Sequence, residues 1–346
     1  MARRRRISEE VKTEQVEEEP TREVTRAKNL EFIPTGCVNL DCVIGGGWVL
    51  GRMSNIVGDK STGKTLCAIE AAANFARRYP DGKIFYREAE AAFDEDYGAS
   101  LGLPVDRVDF GEEGLGTAWE TVEDIYEDLV KCCDECIKEG VPGFYVIDSL
   151  DALSSRAELG RAIDEGSYGM EKQKQLGQLF RRLVRRIKEA RICLMVISQV
   201  REKIGVAFGD KYRRSGGKAL DFYASQVVYL SHLKTLKRSI KGAERAYGIR
   251  VKAKCTKNKI SLPFRECEFS LRFGYGIDEL PAAIEWLEQV KHSKEILDGE
   301  AASKYIDRVN QLGRKEFNVE MKKVRKHYRR VWNEIENRFV PPRSKY

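Results

Sequence analysis

Residues Gly58 to Thr65 read GDKSTGKT. Gly58 and Gly63 let the backbone curl so that successive N–H groups point inward at an anion. Lys64 has the reach for the β- and γ-phosphates of a nucleoside triphosphate, and the Thr65 hydroxyl can ligate Mg²⁺. Asp59, Lys60, Ser61 and Thr62 complete the loop. A short apolar strand pattern, Asn55-Ile56-Val57, precedes it, and an Ala-rich helix pattern from Leu66 to Ala76 follows. Strand, Gly-rich loop, helix is the order a phosphate-binding loop requires, because the helix N-terminus adds partial positive charge. The alternative, a Gly-rich turn with no ligand, does not call for Lys-Thr at that position.

A second signal is Phe144-Tyr145-Val146-Ile147-Asp148-Ser149. A buried strand ending in Asp delivers a carboxylate at its C-terminal end, where open α/β sheets place their functional groups. Asp148 can hold the Mg²⁺ shell. A third is Tyr86-Arg87-Glu88-Ala89-Glu90. Hydrolysis needs a group that orients or deprotonates the attacking water. Glu88 and Glu90 both qualify, and their spacing does not choose between them.

These residues need a scaffold. Strand patterns lie at 53–57, 83–87, 143–148, 192–198, 226–231, 248–255 and 266–273, and helical patterns at 66–78, 118–139 and 169–189. Strands alternating with helices predict a mostly parallel sheet flanked by helices. The late strands, with few helices between them, predict an antiparallel extension. From about residue 279 the spacing is helical, with Phe317, Met321, Val324, Tyr328, Val331 and Ile335 as an apolar stripe. The chain thus divides into a charged segment, 1–28, a core, 29–280, and a basic helical region, 281–346. At 346 residues it can bury a large core. No apolar run reaches the length of a membrane span. The N-terminus, MARRRRISEE, lacks the apolar centre of a secretory signal. Nine cysteines, an odd number, several of them in apolar runs, read as free thiols in a reducing compartment. Cys132, Cys133 and Cys136 have no second pair at zinc-site spacing.

The net charge of +7 permits a polyanionic partner. Residues 201–218 sharpen that expectation. Arg201, Lys203, Lys211, Arg213, Arg214 and Lys218 stand against Glu202 and Asp210, with four glycines among them. A Gly-rich basic loop is suited to a phosphate backbone. The helix at 169–189 carries Lys174, Arg181 and further basic residues opposite an apolar face, Leu176, Leu179, Phe180 and Leu183. Residues 311–346 hold eleven Lys/Arg and four Glu, enough for a basic helix face that captures duplex DNA, docks on another protomer, or is simply solvated.

In this order, the pieces resemble the RecA family of recombinases from about Ile33 to Ile277. Pro34-Thr35-Gly36 with Leu40-Asp41 looks like the family's opening of the ATPase core. YREAEAAFDEDY resembles the segment carrying the catalytic glutamate, and its spacing to Asp94 selects Glu90. Asp94 and Tyr97 match positions that hold the adenine. VISQVREKIGVAFGD followed by SGGKALDFYAS is similar to the strand and mobile second loop. There Gln199 matches the residue that senses the γ-phosphate, and Phe208, Gly216 and Gly217 match loop positions near DNA. Lys174 and Arg181 match basic positions near DNA. Lys257-Asn258-Lys259 resembles the segment whose two lysines reach ATP on the adjacent subunit, and Phe222 matches an interface aromatic.

The resemblance implies a RecA-type P-loop ATPase core of class α/β. It implies ATP and Mg²⁺, single- and double-stranded DNA, and a cytoplasmic, nucleoid-associated homo-oligomer that forms filaments and exchanges strands. A ring-forming helicase-like motor and an ATP-switched DNA-binding accessory protein use the same loop and are the alternatives. The chain also departs from the family. Asp59-Lys60 stands where Pro-Glu is usual, Leu66 replaces Thr, Ser198 replaces Asn, Asp221 replaces Lys, and the tail is basic where the family's is acidic.

Overall fold

The computed structural model describes residues 30–341, apart from 91–92, 112–113, 115–118, 160–168, 203–211 and 215–216. The chain opens with β1 (Phe32–Ile33), α1 (Val38–Ile44) and β2 (Trp48–Val49). Next come β3 (Met53–Gly58), α2 (Lys64–Arg78), β4 (Lys83–Glu88), α3 (Glu95–Ser100) and β5 (Val108–Asp109). The helix α4 (Val122–Glu139) leads to β6 (Gly143–Asp148), and α5 (Arg156–Leu159) and α6 (Gly169–Glu189) lead to β7 (Ile192–Glu202). After β8 (Tyr212–Arg214) and α7 (Gly217–Tyr223) come β9 (Gln226–Ile240), β10 (Ala243–Asn258), β11 (Glu266–Arg272) and β12 (Gly276–Asp278). Four helices close the chain: α8 (Leu280–Gln289), α9 (Lys294–Leu297), α10 (Ala302–Asn310) and α11 (Arg314–Arg338).

Among the described residues, ten strands form one sheet in the order β12-β11-β10-β9-β3-β7-β6-β4-β5, with β8 pairing β7. The run from β9 through β3, β7, β6 and β4 to β5 is parallel. From β9 to β12 it is antiparallel. Parallel strands are buried on both faces, so they read as continuous apolar runs. The period of two then sorts their side chains between two cores. Ile84, Tyr86, Phe144, Val146, Met195 and Ile197 face α1 and α2. Phe85, Tyr145, Ile147, Leu194 and Val196 face α4, α6 and α7.

The strands predicted at 226–231 and 248–255 run much further, forming a hairpin whose ladder extends to Ile240 opposite Ala243. Beyond Leu230 the side chains are exposed except for half-buried Leu236. From Lys237 to Tyr247 every side chain is exposed, so the apolar alternation that marks a strand is missing there, and backbone pairing alone continues it. The helix predicted from 118 begins instead at Val122, where the Thr121 hydroxyl caps it by accepting from the Asp124 amide at 3.1 Å.

The stripe on α11 is buried as its spacing predicts: Met321, Val324, Tyr328 and Val331 pack with α8, α9, α10 and Val38 of α1. Arg329 pairs with Asp41 at 2.9 Å and Arg325 with Glu279 at 2.6 Å, joining α11 to α1 and the start of α8.

Candidate active site

The parallel register brings the predicted groups to one end of the sheet. Gly58 lies opposite Gln199 of β7, and Glu88 of β4 lies opposite Asp148 of β6. Gly58, Glu88 and Asp148 end their strands, and Gln199 is the last β7 residue paired with β3, so all four lie at the end from which an α/β sheet presents its functional groups.

The loop between β3 and α2 is shaped by steric demands. A Cβ at Gly58 would come within 2.6 Å of Thr62 Oγ1 and 2.9 Å of the Leu230 carbonyl. Gly63 has φ +85°, and its Cβ would strike Leu271 at 2.0 Å. Only glycine is free of both penalties. Lys60 N donates to Asp59 Oδ1 at 2.7 Å, and Ser61 adopts φ 56°. The Thr62 hydroxyl donates to the Asp59 carbonyl at 2.9 Å, and Lys64 Nζ donates to the same carbonyl at 2.7 Å. Burial lowers the Lys64 pKa, and the charges of Asp148, Asp151, Asp59 and Glu90 oppose that.

Asp148 is buried at the end of β6, and its peptide bond to Ser149 is cis. Its Oδ2 accepts from the Tyr86 hydroxyl at 2.7 Å, and the Thr65 hydroxyl also donates to this carboxyl. Burial pushes the Asp148 carboxyl upward, and the two hydrogen bonds counter it. Thr65 and Asp148 thus place a hydroxyl and a carboxylate side by side below the glycine loop. That donor set fits Mg²⁺, which takes one or two protein oxygens and completes its shell with phosphates and water. Among the described residues, no group of three or more His, Cys, Asp or Glu is placed to hold a metal ion without such help.

Glu90 sits beside this pair. Its Oε1 accepts from Ser149 Oγ at 3.0 Å and from Gln199 Nε2 at 3.2 Å. Glu88 turns back instead, its Oε1 accepting the Glu90 amide at 2.9 Å. The Gln199 amide donates to Asp151 Oδ2 at 2.6 Å. Tyr86, Ser149 and Asp151 are additions that residue types alone do not reveal. Asp151 had a faint signal, a second carboxylate just past the Asp148 strand.

The strand carrying the glutamates is anchored from its other face. Arg87, 1% exposed, donates from Nε to Asp128 Oδ2 at 2.7 Å and from Nη1 to the Asp109 carbonyl. Tyr145 donates to the same Asp128 oxygen at 2.6 Å, and the guanidinium lies 5.2 Å from the Trp119 ring centroid. Burial works against the Arg87 charge, but Asp128, with Tyr145 and Asp109, more than offsets it.

Asp94 caps α3 by accepting the Tyr97 amide at 2.9 Å, and Tyr97 is half-buried against the α2 core. Phe93 holds this corner to Tyr86, with centroids 4.9 Å apart.

Lys257 and Lys259 are not with this group. Both donate to the Phe222 carbonyl, at 2.9 Å each, at the C-terminal end of α7. Lys257 lies opposite Val227, which pairs with Asn55 in β3, three residues before Gly58. That is roughly 10 Å back along the strand from the glycine loop. Phe222 stands 67% exposed beside them, 5.6 Å from Lys259 Nζ.

Lys174 and Arg181 are exposed on α6, seven residues apart and so on one face. Arg201 lies opposite Arg213, and Arg214 opposite Val200, in the β7–β8 ladder. Gly217 and Lys218 begin α7. Lys203, Phe208 and Gly216 lie outside the described residues. Among the described residues, no helix is long and apolar enough to cross a membrane.

A family model described as the RecA N-terminal domain matches residues 21–278. Protein RecA of Crocosphaera subtropica is 32% identical over 260 residues, covering 75% of this chain and 70% of that protein. Protein RecA of Paenarthrobacter aurescens is 37% identical over 254 residues, covering 73% and 68%. Protein RecA of Nostoc punctiforme is 34% identical over 260 residues, covering 75% and 68%. The family model ends before α8.

Proposed function

This chain belongs to the RecA family, and on that premise we propose that it is an ATP-dependent recombination protein. It forms filaments on single-stranded DNA and catalyses homologous pairing and strand exchange. The observation that carries this reading is the contact of Gln199 with Glu90. Gln199 stands where β7 passes from the sheet into the β7–β8 ladder and the basic segment beyond it. A change at Glu90 therefore reaches a DNA-binding loop through one hydrogen bond and a strand.

The chemistry follows from the same groups. The amides of Gly58 to Lys64 cradle the phosphates, and Lys64 exchanges its carbonyl partner for a phosphate oxygen. Thr65 and Asp148 would hold Mg²⁺, which would supply charge neutralisation at the phosphates. Glu90 orients the attacking water and takes its proton, while Asp94 and Tyr97 receive the adenine. Lys257 and Lys259, remote from the loop of their own chain, serve a neighbour's site and stabilise transition-state charge there. Each site then needs two subunits, and a head-to-tail contact of that kind propagates as a helix unless it closes. ATP and DNA binding become reciprocally coupled. Arg201, Lys203, Phe208, Arg213, Arg214, Gly216, Gly217 and Lys218, with Lys174 and Arg181, form the DNA surface. The 29–280 core carries all of this, flanked by the charged 1–28 segment and the 281–346 helices.

Electron microscopy with single-stranded DNA and a slowly hydrolysed ATP analogue tests the reading. Helical filaments are expected; closed rings or monomers would overturn it.

A further inference from the structure

We propose that the cleft between α2 and α11 is a second anion site, one that binds a compact polyphosphate. The cleft measures about 650 Å³, a volume typical of small-ligand sites. One wall is α2, where Glu70, Asn74 and Arg77 lie on one face. The other is α11, where Lys322, Arg325, Lys326 and Arg329 do the same.

The basic groups divide by what they already touch. Arg325 and Arg329 are committed to Glu279 and Asp41. Lys322 and Lys326 are exposed, and neither has a carboxylate partner among the described residues. Across the cleft, Arg77 donates to neutral Asn74 at 2.9 Å and has no carboxylate ion pair among the described residues. Three cations thus face one space from two helices with no ion pair among the described residues, while the two carboxylates that also line it, Asp41 and Glu70, are engaged by Arg329 and the Ile277 amide. Glu70 is turned to the backbone of β12. Its carboxyl is pushed up to about 7 by burial and accepts the Ile277 amide at 2.7 Å. Asn74 and Asn318 add neutral hydrogen-bonding groups, and half-exposed Tyr275 offers a ring at the rim.

The cleft is separate from the glycine loop. Arg77 lies thirteen residues beyond Lys64 on α2, roughly 20 Å along the axis. A chain of phosphates spanning Arg77 and the two lysines would tie α11 to the helix that begins at the nucleotide loop. The source is a nucleoside polyphosphate, with its base on Tyr275, or an inorganic one.

Calorimetric titration of the full chain with inorganic tripolyphosphate, without divalent metal, tests this. Two sites are expected. Lys322→Gln with Lys326→Gln should weaken one at least tenfold and leave the other, whereas Lys64→Ala should do the reverse. Both lysines are exposed, so folding is spared, and thermal unfolding checks it. Repeating the titration with ATP separates the sources: tighter binding at the cleft marks the nucleoside form. Unchanged two-site binding in the double variant overturns the proposal. So does an equal loss in Lys315→Gln with Lys323→Gln, which alters the same helix elsewhere. If the double variant instead loses only affinity for a short DNA duplex, the face binds duplex and the proposal fails. A Lys64→Ala variant that keeps both sites would count against the nucleotide loop alone.

Discussion

The Tyr86 hydroxyl donates to Asp148 Oδ2 at 2.7 Å, with both side chains buried. A hydrogen bond to a charged group is worth about 1.5–3 kcal/mol. Tyr86→Phe should therefore release one oxygen of the carboxylate assigned to Mg²⁺. The expected outcome is a roughly tenfold rise in the Mg²⁺ concentration needed for half-maximal ATP turnover. Nucleotide binding measured without metal should stay within about twofold. Titrating Mg²⁺ in both assays checks it.

Glu90 and Lys257 are predicted to act in different subunits of one site. Glu90→Gln should lower turnover by about 10²–10⁴-fold. Lys257→Ala should also be slow. Mixing the two should restore part of the activity, because some interfaces then pair an intact glutamate with an intact lysine. No recovery at any mixing ratio would place both residues in one chain's site.

Gln199→Ala should separate ATP binding from DNA binding. The ratio of single-stranded DNA affinity with and without the slowly hydrolysed analogue should fall towards one. Couplings between sites typically amount to about 1–3 kcal/mol. Fluorescence anisotropy of a labelled oligonucleotide measures the ratio.

Arg87→Met should remove the cation from a buried pair and leave Asp128 uncompensated. The expected loss of stability is about 3–5 kcal/mol, read from denaturant unfolding. Replacing both partners, with Asp128→Leu added, should recover much of it.

Glu70 predicts a pH dependence. Its folded carboxyl lies near 7 against an ordinary 4.5, raised by burial beside Glu279 and countered by the Ile277 amide, Arg77 and Arg325. Because the folded form binds the proton more tightly, the stabilisation is complete below about 4.5 and is lost as pH rises through about 7. The span is about 3 kcal/mol. Glu70→Gln should flatten unfolding free energy across that window; parallel curves would show that the carboxyl is solvated.

The strand–glycine loop–helix unit at Gly58–Thr65, the Asp148 strand and the α11 stripe were legible because each is local. A loop that must hold phosphate needs glycine and lysine at fixed offsets, and a half-buried helix needs apolar residues every three or four. The outer half of the β9–β10 hairpin was not legible, since its exposed strands carry no burial pattern. Sequence spacing also left Glu88 and Glu90 equivalent, and it took the family resemblance to prefer one.

Sequence by itself determined which groups were available: a glycine loop with a lysine, carboxylates at strand ends and a basic Gly-rich segment. Tertiary structure decided their grouping. It turned Glu90 towards Ser149 and Gln199 and folded Glu88 back on the Glu90 amide. It supplied Tyr86 to Asp148 and left Lys257 and Lys259 on the far side of β3's span. The physical reason is register. Hydrogen-bonded strands distant in sequence set which ends coincide, and no local pattern of residues encodes that alignment.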